Sequence, residues 1–201
     1  PAVMNQTQNP NMQNPNMPQN HPDISSMNTI TPEIQTAIDK AKAEPDNFEA
    51  QIKAAEGYYQ ISRFNESIEF LKQANKLKPD DYETIVNLAN AYFDSAKYDD
   101  AEKWYSSALT KKSDDVNVRT DLGLTFIFRQ TPNYDRAIQE FLRSLEIDPN
   151  HVQTLQNLTV AYTKKNDLEK AKATLSKLEG LNANNPAVPK LREEIQKLEK
   201  K

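Results

Sequence analysis

The 201-residue chain has no cysteine. That excludes a disulfide framework and every thiolate metal site, and it fits reducing and oxidising compartments alike. Glycine occurs only at Gly57, Gly123 and Gly180, and none of the three lies in a phosphate-cradling loop pattern. The two histidines, His21 and His151, have no carboxylate or histidine at a spacing that a helix would turn into a metal site. No metal and no cofactor is therefore expected. No apolar run approaches membrane-spanning length, so direct membrane insertion is not expected. No signal peptide is visible. The chain opens at Pro1, which is compatible with prior removal of a leader, anchor, tag or initiator Met. The net charge of −4 is small and its carriers are interleaved. Without a basic stripe to track a phosphate backbone, nucleic acid is not an expected partner.

What the chain has is a pattern, plainest between Tyr82 and Asp115. Ile85, Leu88, Ala89 and Tyr92 fall three and four apart and make one apolar helical stripe. Ser95-Ala96-Lys97 breaks the run, and Tyr98, Ala101, Trp104, Tyr105 and Ala108 make a second stripe. Ala89 and Ala101 are small where two helices would cross closely. A lone hairpin this short cannot bury both stripes, so it needs neighbours.

The neighbours are copies. Upstream, 48–81 repeats the template with Ala55, Tyr58, Phe64, Ser67, Leu71, Ala74 and Pro79. Downstream, 116–151 repeats it with Gly123, Phe126, Tyr134, Ala137, Phe141, Ser144 and Pro149, its two extra residues falling around Gln130-Thr-Pro-Asn133. A fourth copy, 152–185, carries Leu158, Tyr162, Leu168, Ala171, Leu175 and Leu178. This period and slot order resemble the tetratricopeptide repeat family. The resemblance implies an all-α, right-handed superhelical solenoid of four helix–turn–helix repeats over 47–185, with no single central core. The sequence departs from the pattern at Gln51 and Arg119, where a bulky apolar residue is usual. Ser113 and Ala183 replace the closing proline, and no inner turn has glycine.

Both ends need lids. At the first, within 29–46, Thr31-Pro32-Glu33 reads as an N-cap, a first-turn proline and an acid favoured by the helix dipole. Ile34, Ala37, Ile38 and Ala41 follow as its stripe. At the second, 186–201, Val188, Leu191, Ile195 and Leu198 recur at helical spacing. Residues 1–28 are different material, rich in Asn, Gln, Pro and Met, with Asn-Pro-Asn-Met occurring twice. So few apolar groups favour a flexible tether. The competing reading is a docking arm anchored by Met12, Met17, Ile24 and Met27.

Catalytic residues are not expected. The pairs Asp80-Asp81, Asp99-Asp100 and Asp114-Asp115 occupy turns or helix starts, where Asp caps backbone N–H groups. Surface remains. In the family geometry the first helix of each hairpin lines a concave groove. Non-core positions there include Lys53, Glu56 and Tyr59, then Val86, Asn87, Asn90, Phe93 and Asp94. Asp121, Leu124, Ile127 and Phe128 follow, then Gln156, Asn157 and Val160. Some members of the family hold a partner's C-terminal carboxylate with a basic cluster, which this chain lacks, having Ile52 and Glu56 in those places. Others hold peptide backbone with an asparagine row, which Asn87 and Asn157 resemble, interrupted by Asp121. The resemblance thus implies a protein or peptide partner, held extended or as a short helix. The alternative is a second copy of this chain, its arm docking in a neighbour's groove to build a polymer.

Overall fold

The computed structural model describes residues 29–200. Several helix starts are closed by short polar side chains that take up free backbone N–H groups. Thr31 does so for α1 (Pro32–Ala43), accepting from the Ile34 amide at 3.3 Å. Asn47, Asp81 and Asp115 do so for α2 (Phe48–Gln60), α4 (Tyr82–Asp94) and α6 (Val116–Phe128). Between them lie α3 (Phe64–Leu77), α5 (Tyr98–Lys111) and α7 (Tyr134–Ile147), followed by α8 (Val152–Lys164), α9 (Leu168–Leu181) and α10 (Val188–Glu199). Among the described residues there is no strand. None of these helices is long and apolar enough to cross a membrane. The proposed anchors Met12, Met17, Ile24 and Met27 lie outside the described residues.

Successive helices pack as hairpins, α2 on α3, α4 on α5, α6 on α7 and α8 on α9, and each hairpin packs on the next. Three of the four inner turns share one device. Ser62, Ala96 and Asn166 have φ of 58°, 59° and 58°. The amides after them, of Arg63, Lys97 and Asp167, reach back to the carbonyls of Tyr58, Tyr92 and Tyr162 at 2.9, 2.9 and 3.0 Å. This is the Schellman closure, and its left-handed residue is the position glycine fills most cheaply. In the longer turn after α6, Phe126 offers the same carbonyl, but the amide that reaches it is that of Asn133, at 2.8 Å.

Small residues set how closely the helices approach. Ala55, Ala89, Ala101, Ala108 and Ala137 are fully buried at the crossings. At Gly123 an added Cβ would lie 2.4 Å from Phe141 Cε1, so α6 and α7 meet there only because the side chain is missing. The two polar departures from the repeat pattern both find polar partners. Gln51, 2 % exposed, donates through Nε2 to the Ala41 carbonyl at 2.8 Å and so ties α1 to α2. Arg119 donates to Glu140 at 3.1 Å and to the Ser113 carbonyl at 2.8 Å. One apolar core runs from Ala55 to Ile195, while Ile34, Ile38, Ala41, Ala50, Ala54, Tyr58 and Ile61 form a smaller one under α1.

Candidate functional site

The first helices α2, α4, α6 and α8 turn one set of side chains toward their partner helices. Another set faces along the succession of hairpins. On that second face Tyr59, Asn87 and Asn90 border a cavity of about 260 Å3, whose other walls are Ala55, Glu56, Gln60, Ser67 and Leu71. Its polar groups are positioned by neighbours. The Tyr59 hydroxyl donates to the Asp94 carboxylate, and the Tyr59 ring sits edge-on to Phe64 at 5.2 Å. The Tyr105 hydroxyl of α5 donates to Asn90 Oδ1 at 2.7 Å. Burial raises the ionisation of both phenols well above the ordinary tyrosine range, with nearby carboxylates adding to it. Both therefore stay neutral donors.

Further along the face, Phe93 and Phe128 meet edge-to-face at 5.7 Å, and Tyr98 of α5 stacks on Phe128 at 6.1 Å. Phe128 is 39 % exposed, so this aromatic group opens to solvent. Val86, Ile127 and Val160 are half-buried and pack against the core. Asp121 is half-buried beside them. Burial and the neighbouring charges of Asp94 and Asp115 push its carboxyl up to about 7.

Not every expected groove residue is open. Leu124 is 6 % exposed and belongs to the continuous core. Gln156, 8 % exposed, accepts from Asn185 Nδ2 at 3.5 Å, in the segment leading to α10, and α10 packs on α8 as well as on α9. Asn157 is 1 % exposed. Asn87 and Asn157 thus differ in accessibility, although the repeat places them alike. The face instead brings together Tyr59, Asn87 and Asn90 at one end and Phe93 with Phe128 at the other. The association of Asp94 with Tyr59 and Asp121 was not anticipated. Its only signal was an acidic residue on the inner side of two successive first helices.

The acidic pairs cap helix starts or join neighbouring elements. Asp81 and Asp115 accept from the amides of Thr84 and Val118, each at 2.9 Å, and Asp80 pairs with Lys111 at 2.6 Å. His151 joins Thr154 Oγ1 at 2.6 Å to Asn117 Oδ1 at 3.1 Å, linking α6 with the start of α8. Among the described residues no group of three or more His, Asp or Glu is placed to hold a metal ion.

Capped helical hairpins of near-constant length, stacked on small-residue crossings, define a helical-repeat protein. The pattern of the tetratricopeptide repeat matches residues 62–120 and 132–195, and the chain belongs to that family. Solved structures agree on the fold. A crystal structure of MamA superposes with a TM-score of 0.68 at 23 % identity, over 75 % of this chain and 86 % of that one. MamA from Desulfovibrio magneticus RS-1, from residue 41 to its end, gives 0.69 at 14 % identity, covering 76 % and 85 %. YrrB, described as a TPR protein with an unusual peptide-binding site, gives 0.69 at 17 % identity, covering 80 % and 81 %. No curated protein matches the chain.

Proposed function

We propose that this chain is a non-enzymatic interaction scaffold that holds another polypeptide, extended or as a short helix, along the face of its first helices. In this reading the hairpins are four repeats, 48–81, 82–115, 116–151 and 152–185, closed by lids at 29–46 and 186–201. The observation that carries it is the cavity bordered by Tyr59, Asn87 and Asn90 on the same face as the solvent-open Phe93–Phe128 ring pair. Amides that can donate and accept suit a peptide backbone. An open aromatic group beside them suits an apolar anchor side chain. YrrB shares the fold and has a peptide-binding site, which supports the same use of the scaffold here.

The experiment is a screen of the full chain against an immobilised library of short peptides, repeated with Asn87→Ala and Phe128→Ala. Asn87→Ala should weaken the best peptides by about 0.5–1.5 kcal/mol, one backbone hydrogen bond. Phe128→Ala should weaken them by about 2 kcal/mol or more if it is the anchor. Peptides that bind equally to both variants would place the partner on another face.

A further inference from the structure

We propose that the first occupant of this groove is the chain's own amino-terminal segment, with Met17 seated on the Phe93–Phe128 rings, and that a foreign polypeptide must displace it. The proposal rests on the groove reading above and adds to it a competitor carried by the same chain.

The place where the described chain begins carries the argument. A Cβ added at Gly57, near the end of α2, would lie 3.0 Å from Ile34, in the first turn of α1. Ala41, near the end of α1, accepts from Gln51, in the first turn of α2. The two helices are therefore antiparallel, and the chain enters at Thr29 beside the end of α2. Ile30 accordingly packs on the small core that holds Tyr58 and Ile61. The ends of the first helices stand in a row. The Tyr59 hydroxyl of α2 donates to Asp94 of α4, and Phe93 of α4 meets Phe128 of α6. Residues before Thr29 thus start at one end of the row that leads to the open ring pair, and they need not pass α1 to reach it.

Length selects the residue. From the start of α1 the row runs past α2 and α4 to Phe128 on α6, three helix-to-helix steps. At about 8–10 Å per step, that is roughly 25–30 Å. An extended chain covers about 3.3 Å per residue, so about eight to nine residues span it. Ile24 and Met27 lie five and two residues before Thr29 and fall short. Met17 lies 12 residues before it and is the first methionine that reaches.

The chemistry agrees with the reach. Phe128 is 39 % exposed, and its ring lies 5.7 Å from Phe93 and 6.1 Å from Tyr98. A methionine thioether packs well on aromatic rings and adapts to an irregular surface. Pro15 and Pro18 flank Met17 and restrict the backbone toward extension, which lowers the ordering cost of docking. The only Asp, Glu, Lys or Arg among residues 1–28 is Asp23. The stretch around Met17 therefore docks without stripping water from a charge. Tethering gives it an effective concentration on the order of mM, so it fills its own groove before a second copy at µM concentration does.

All four methionines of the chain, Met4, Met12, Met17 and Met27, precede Thr29, so their methyl resonances report on this segment alone. The test records methionine-methyl NMR spectra of the full chain, with Met17 assigned through Met17→Gln. The Met17 methyl should stand clearly upfield of free methionine, shifted by the ring currents, and should hold that position on dilution. Phe128→Ala should return it to the free position, whereas Leu181→Ala, at an exposed site of α9, should leave it in place. In the peptide screen, Met17→Gln should tighten binding about threefold or more, because fewer copies are self-occupied. Met17 precedes every described helix, so that gain does not come from a change in the hairpins. A Met17 methyl at the free position, a shift that vanishes on dilution, or one that survives Phe128→Ala would overturn the inference and leave the groove reading standing. Failure of every peptide to bind, even to Met17→Gln, would overturn both.

Discussion

Ala96 shows what a single residue costs in this architecture. Its φ of 59° puts a Cβ where the left-handed backbone crowds it, by about 1–2 kcal/mol. Ala96→Gly relieves that crowding but widens the unfolded chain's freedom. A net gain on the order of 1 kcal/mol is expected in urea melts. Ser62→Gly should gain less or about the same, and Asn166→Gly least, because Asn tolerates this conformation best. A loss of stability at Ala96→Gly would mean that the inner turn is not closed as described. Asp121 makes a second residue-scale case. Its carboxyl is raised from the ordinary 3.8 to about 7, so the folded protein holds a proton that the unfolded chain releases. Stability should accordingly fall as pH rises between those values and stay low above them. Asp80 and Asp167, lowered by Lys111 and Lys170, slope the other way. The quantity to measure is therefore the difference between the parent and Asp121→Asn. That difference should favour the variant by about 1–3 kcal/mol at pH 8 and shrink toward pH 4.

At the scale of elements, a crossing is governed by its smallest residue. Gly123 admits Phe141 into the α6–α7 contact, and any Cβ there pushes the ring or the helix away. Gly123→Ala should cost about 1–3 kcal/mol by overpacking, although alanine is the better helix former. Gly180, near the end of α9, meets nothing within 4 Å of an added Cβ. Gly180→Ala should thus be neutral or stabilising by up to about 1 kcal/mol. The opposite signs at two helical glycines, read from thermal melts of both variants, are the check. Side chains also join elements across hairpins: Tyr82 to Asp115 at 2.8 Å, Lys111 to Asp80 at 2.6 Å, and Thr120 to Thr154 at 2.6 Å. These contacts span about one repeat in sequence, so each hairpin is tied mainly to its neighbours.

For the whole molecule, that neighbour-to-neighbour design means stability is graded along the chain. The small core under α1 stands apart from the core that runs from Ala55 to Ile195. Hydrogen exchange of α1 amides should show a lower opening free energy than that of α4 through α8. Ile38→Ala should lower it further while hardly moving exchange in α6; a uniform response would mean that the chain unfolds as one unit. The helices, their starts and the small-residue crossings were legible in the sequence. Capping, apolar periodicity and the Ala and Gly slots act within a few residues of where they are written. The polar substitutes Gln51 and Arg119 were visible there as exceptions, but their partners, Ala41 and Glu140, were not. The groove was legible only as a set of equivalent positions. Tertiary packing decided that Asn87 stays accessible while Leu124, Gln156 and Asn157 are buried. It also decided that Asp94 and Asp121, 27 residues apart in sequence, come near enough for the charge of one to act on the other. Local sequence controls dihedrals and helix ends. The exposure of a side chain and the charges around it depend on how one hairpin leans on the next, a distance and an angle that no single repeat encodes.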